Sequence, residues 1–142
     1  MVRLNEEFVK ERAKEIREAV EKVRSYASLS DAEFFSDERN LYTVMYLLLR
    51  AIEATASICS HILARIAHRA PASYSECFET LRDLNLVDES LAERLIRMVR
   101  FRNLLVHQYW KVDPVRVLGF ARENLGDFEA FLESLSTLLR RQ

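Results

Sequence analysis

Residues 102–109 read Arg-Asn-Leu-Leu-Val-His-Gln-Tyr, so a guanidinium, an amide, an imidazole and a phenol fall within eight positions. At about 100° per residue on an α-helix, Asn103, His107 and Trp110 share one stripe, and Arg102 and Tyr109 share the stripe beside it. This set suits phosphodiester cleavage. Arginine grips phosphate oxygens with a planar fork of donors, and histidine exchanges a proton near neutral pH. RNA is cut without a metal ion when a base removes the 2′-hydroxyl proton, a cation balances the charge growing at phosphorus, and an acid protonates the leaving oxygen. One motif supplies one imidazole. Two chains packed motif helix to motif helix about a two-fold axis would bring two copies of His107 and two of Arg102 into one cleft, one ring as base and the other as acid. Asn103 would orient the phosphate or the imidazole, and Tyr109 would stack on a base or bond a phosphate oxygen.

The elements that must position these groups read as helices throughout. The 142 residues contain two Gly and two Pro, with 49% hydrophobic and 30% charged side chains, which points to long helices, short connections and one core in one domain over 1–142. Leu4, Phe8, Ala13, Ile16, Val20, Val23 and Ala27 recur at amphipathic spacing and mark a first helix. Ser30-Asp31-Ala32-Glu33 has capping-box form, and Asp37 or Ser36 is placed to cap a long apolar helix running to about His68. Leu47, Leu48, Leu49, Ile58, Ile62 and Ile66 form its expected core stripe. After Pro71, Ser73 to Glu76 opens a short helix to about Leu84. Asp88 begins the motif helix, with Leu91, Leu95, Met98, Phe101 and Leu105 facing the core, and Ile96, Val99 and Val106 on the side of Asn103 and His107. Trp110 is expected in the core at the helix end. Asp113 and Pro114 start a final helix to about Arg140, in which Gly119 and Gly126 foretell a bend or a close contact.

The sequence order from Phe101 to Tyr109, followed by Asp113 and Pro114, resembles the R-x4-H-x-Y segment of the HepT branch of the HEPN proteins, the toxin half of HepT/MntA toxin-antitoxin pairs. Ala51-Ile52-Glu53-Ala54 and the spaced set Pro71, Tyr74, Glu76, Phe78 and Leu81 are similar to that family as well, so the likeness runs from about Asp31 to Leu135. It implies an all-α, HEPN-type up-and-down bundle with short extra helices, forming a two-fold homodimer. It also implies a metal-independent RNA endonuclease with Arg102 and His107 catalytic and Asn103 supporting. By the same resemblance Tyr109 is the residue that an MntA-type nucleotidyltransferase AMPylates to silence the nuclease. The rival readings are a non-catalytic helical adaptor or nucleotide-binding partner of a nucleotidyltransferase, and a dimer in which the motif only stabilises the interface.

Other features narrow the function. A net charge of −1 gives no global attraction to polyanions, so RNA contact must be local, and Arg94, Arg97, Arg100 and Arg102 are the nearest basic group. Cys59 and Cys77 lack zinc spacing and read as buried thiols of a reducing cytoplasm. His61 and His68 have no third ligand beside them, and neither a metal nor another cofactor is expected. Glu53 is expected to pair with Arg50 or Ser57 inside its own helix and Glu76 to cap, with no catalytic role for either. The first residues turn acidic and helical at once, unlike a signal peptide. The apolar stretch from Leu41 to Ala67 is interrupted by Arg50, Glu53, His61 and Arg65, and so reads as a buried central helix, with a cytoplasmic location and no membrane partner.

Overall fold

A computed structural model describes residues 3–141; Met1, Val2 and Gln142 lie outside the described residues, and with them the start of the stretch compared with a signal peptide. The chain forms α1 (Glu6–Ala27), α2 (Asp31–Phe35), α3 (Glu38–Ile62), α4 (Tyr74–Asp83), α5 (Glu89–His107), α6 (Pro114–Glu123) and α7 (Gly126–Arg140). No strand occurs among the described residues. The caps fall where side-chain chemistry requires them. Ser30 and Glu33 complete a capping box, and Asp37, Asp88 and Asp113 accept from the backbone N–H groups of Arg39, Leu91 and Val115. At α4, Ser73 accepts from the Glu76 N–H while the Glu76 carboxylate accepts from that of Ala72.

α1 and α3 run antiparallel, since the Asn5 N–H donates to His61 Nε2 at 2.9 Å and Arg50 pairs with Glu15 at 3.5 Å. α3 is long and apolar enough to span a bilayer by length and composition, but 61% of its most apolar window is buried inside the bundle, as befits a core helix. It continues as a π turn over Leu63–Ala67 and stops at His68, whose φ of 52° is left-handed. The wider π turn rotates Ile66 out of the helical register, leaving it 40% exposed rather than in the core stripe, and Leu49 is only half-buried. Leu47, Leu48, Ile58 and Ile62 are buried as expected.

α4 folds back beside α5, and Phe78 meets Phe131 of α7 edge-on. Arg94 of α5 bonds the buried Asp127 of α7 at 2.9 Å, so it braces two helices and is not a free basic group. The expected last helix is two helices. α6 ends at Glu123 with Asn124 as its C-cap, and Gly126 begins α7. A Cβ at Gly119 or Gly126 would meet nothing within 4 Å, so neither glycine makes a close contact, and only Gly126 lies at the break. Arg122 of α6 donates to the Ala27 and Leu29 carbonyls and to Asp31, fixing the α1–α2 turn.

Cys59 and Cys77 are both buried, but they are joined in a disulfide rather than free. α4 crosses α3 with the two Cα atoms 6.3 Å apart, inside the reach of a disulfide. No spacing rule links residues 18 apart on two different helices.

Candidate functional site at the end of the motif helix

α5 begins with an Asp88 carboxylate accepting from Leu91 N–H at 2.6 Å and buries Leu91, Leu95, Met98, Phe101 and Leu105. Val99 also lies in the core, while Ile96 is half-buried and Val106 is exposed. Phe101 stacks flat on Phe120 of α6, with ring centroids 4.5 Å apart, which fixes the roll of the helix where the motif starts. That roll turns Asn103 and His107 to solvent. Arg100, Asn103, Leu104, His107 and Gln108 line an open concavity of about 400 Å³.

The helix stops at His107. Gln108 leaves helical geometry at φ −139° and ψ 42°, and Tyr109–Lys111 form a separate 3-10 turn. Tyr109 and Trp110 therefore do not extend the helical stripes assigned to them. Tyr109 is 65% exposed and Trp110 67%, the two rings meeting edge-on at 5.3 Å. The expected core position of Trp110 is thus corrected: once the helix ends, nothing carries the indole inward. With Val106 and Val115 it leaves large apolar side chains on the surface around the α5–α6 junction.

Arg102 points elsewhere. It stands about 140° around the helix from His107, and it does not line the concavity. Its Nε donates to Glu53 Oε1 of α3 at 2.5 Å, and its Nη1 donates to Asn103 Oδ1 at 3.0 Å. Its guanidinium carbon lies 4.9 Å from the centre of the Tyr74 ring, within cation–π range. The Tyr74 hydroxyl donates to Glu53 Oε2 at 2.7 Å. That hydrogen bond pushes the Tyr74 phenol above its ordinary range; burial and the carboxylate's charge add to the shift, and the charge of Arg102 opposes it. Glu53 thus pairs across 49 residues of sequence, not within its own helix. Arg50, one of its two expected partners with Ser57, goes to Glu15. The chain brings Arg102 together with Asn103, and Asn103 together with His107, but does not join Arg102 to His107. His61 caps α1 through Asn5, and among the described residues no group of three potential metal ligands occurs.

The architecture is that of the HEPN-type helical proteins, and the family described as "Ribonuclease HepT-like" matches residues 16–135. The chain belongs to the HepT-like ribonuclease family. It is 32% identical over 91 residues to the mRNA nuclease HepT of Shewanella oneidensis, covering 64% of this chain and 68% of that one. Its structure superposes on that of a tri-AMPylated Shewanella oneidensis HEPN toxin in complex with an MNT antitoxin, at TM-score 0.84 and 25% identity, covering 92% of this chain and 97% of the other. The fold alone is shared with the cytosolic Bacillus subtilis protein YutE, whose function is unknown (TM-score 0.85, 16% identity, 99% and 94% covered).

Proposed function

We propose that the protein is the toxin of a HepT/MntA-type pair, a metal-independent RNA endonuclease whose site is completed when two chains pair about a two-fold axis. The observation that carries this reading is the exposed pair Asn103–His107 around an open concavity at the end of α5, in a chain of the HepT-like ribonuclease family. The roughly 140° between Arg102 and His107 around α5, with His107 lining the concavity and Arg102 outside it, supports a site that draws its groups from two chains. Exposed Val106, Tyr109, Trp110 and Val115 beside the concavity give a second copy apolar surface to cover.

In the paired site one His107 takes the proton of a ribose 2′-hydroxyl, and the freed oxygen attacks the adjacent phosphorus. Arg102 balances the charge that grows on the phosphoryl oxygens. The P–O5′ bond breaks, and the second copy of His107 hands its proton to the departing oxygen. Asn103 holds the phosphate or the ring. RNA is an intracellular polymer, so the site of action is the cytoplasm.

A nucleotidyltransferase antitoxin silences the enzyme at Tyr109. The exposed phenolic oxygen attacks the α-phosphorus of ATP, pyrophosphate leaves, and the phenol loses its proton to a base. The bound AMP then sets a bulky anion two residues from His107, which repels RNA and blocks its approach.

The test is cleavage of RNA by purified protein in excess chelator, beside His107→Ala and Arg102→Ala. Wild type is expected to cut and both variants to lose at least a hundredfold, in the range of single acid–base groups. A wild type as inert as the variants that still binds a nucleotidyltransferase would make the protein an adaptor. Intact mass after incubation with that enzyme and ATP is expected to rise by whole AMP units in wild type and not in Tyr109→Phe.

A further inference from the structure

Arg102 reaches the surface already held on three sides. Glu53 takes Nε, Asn103 takes one proton of Nη1, and the Tyr74 ring lies within cation–π range of the guanidinium. Tyr74 and Arg102 share the same Glu53 carboxylate, one oxygen each, so the three side chains form a closed triangle between α3, α4 and α5. The Arg102 side chain is 20% exposed, and Glu53 36%. Of the five N–H donors on a guanidinium, three have no acceptor among the described residues: one on Nη1 and both on Nη2. A freely rotating arginine would lose side-chain entropy each time it met a phosphate. An arginine fixed in advance loses little, and what it offers is the Nη edge alone.

We infer that Glu53 and Tyr74 are positioning residues of the ribonuclease site: they hold Arg102 so that its free Nη edge, and no other part of it, meets the phosphate. The inference rests on the proposed nuclease reading for what the phosphate belongs to, and on the triangle alone for how Arg102 is held. Glu53 accepts from both neighbours, one oxygen each, so its two bonds fix the acceptor against which Arg102 is held. Tyr74 acts through both its hydroxyl and its ring. Loss of the hydroxyl frees one carboxylate oxygen and lets Glu53 rotate, and with it Arg102.

The experiment has two arms. In the first, the Nε–H resonance of Arg102 is identified by its disappearance in Arg102→Lys. It is expected to lie downfield and exchange slowly in wild type, to return to the ordinary arginine position in Glu53→Gln, and to exchange faster in Tyr74→Phe. Titration with inorganic phosphate is expected to move the Arg102 Nη signals in wild type and to need a severalfold higher concentration in Glu53→Gln. In the second arm, Glu53→Gln and Tyr74→Phe are each expected to lower kcat on RNA by about ten- to a hundredfold, the scale of a slightly misplaced group. KM should change by less than threefold. In an Arg102→Lys background the same changes are expected to cost less than twofold more, because the residue they position is gone. An ordinary, fast-exchanging Nε–H in wild type overturns the inference, and so does equal loss of activity with and without the arginine, which is what a purely structural role produces. Should wild type cut no RNA while the displaced resonance and the phosphate response persist and vanish together in Glu53→Gln, the nuclease reading fails and the held arginine stands as a phosphate-binding device.

Discussion

Reducing the Cys59–Cys77 bond is expected to lower the melting temperature by about 10 °C without changing the fold. The bond closes a loop of 18 residues. Freeing such a loop restores unfolded-chain entropy worth about 3 kcal/mol at room temperature. At roughly 2.1 cal/mol/K per residue, unfolding of the 142 residues carries an entropy of roughly 0.3 kcal/mol/K. Dividing one by the other gives the expected displacement. Reduction is a cleaner perturbation than mutation here, since both sulfurs are fully buried and replacing them would add a packing loss of its own. The assay is scanning calorimetry of oxidised and reduced wild type, with Cys59→Ala/Cys77→Ala as the chain on which reductant has nothing to act. The double variant should melt at or below the reduced protein and be indifferent to reductant. A reduced wild type melting within 2 °C of the oxidised one refutes the entropic reasoning. Two titratable thiols per chain in unfolded protein never exposed to reductant would refute the bond itself.

Three further outcomes follow from the geometry. His61 accepts the Asn5 N–H through Nε2, and burial, followed by the charge of Arg65, holds its pKa below the ordinary 6.5; its contribution is therefore complete above pH 6.5 and lost as pH falls through the lowered value. The gap in melting temperature between wild type and His61→Phe should accordingly be wider at pH 8 than at pH 5, and an equal gap at both would sink the assignment. Asp127→Ala strips a carboxylate that is 8% exposed from Arg94, itself 39% exposed, and should cost about 1–2 kcal/mol in urea unfolding, the modest end for a charged hydrogen bond with one wet partner; a change under 0.5 kcal/mol would show that α5 and α7 do not depend on it. Trp110 is the single tryptophan and is 67% exposed, so its fluorescence in dilute protein should be red-shifted and freely quenched by acrylamide, with quenching that falls as concentration drives two chains together. Unquenchable blue emission at every concentration would place the indole in the core after all.

Much of this architecture was legible because its signals are local. A capping side chain sits within three residues of the N–H it accepts from, so Ser30, Ser73, Asp88 and Asp113 could each be read directly, and the cap of α3 was narrowed to Asp37 or Ser36, of which Asp37 is the one used. The core face of α5 followed from its spacing in the same way. Helix ends without a glycine are harder. Leu105, Val106, His107 and Gln108 contain no stop signal, and continuing the helix by one more turn put Tyr109 and Trp110 on stripes they do not occupy. The π turn that displaces Ile66 is a hydrogen-bonding choice with no mark in residue type. Glu53 was hardest of all. Partners three or four residues away were in plain view, whereas its actual partner is 49 residues distant and is delivered only by the crossing of α3 and α5. The same holds for the cysteines, which tertiary packing and not spacing brings together. Glu53, Tyr74 and Arg102 belong to three separate stretches that resemble the HepT family, and their meeting at one carboxylate gives those stretches a common structural role.

The guanidinium is rooted in helices that are also stitched together covalently, while the imidazole and the phenol stand beyond that scaffold, on the last residue of a helix and on the short turn after it. Chemistry performed on the turn therefore leaves the load of folding untouched. A bulky group can be added there, or the aromatic residues exchanged for others, and the bundle beneath will melt where it did before; what changes is only which molecules the rim admits.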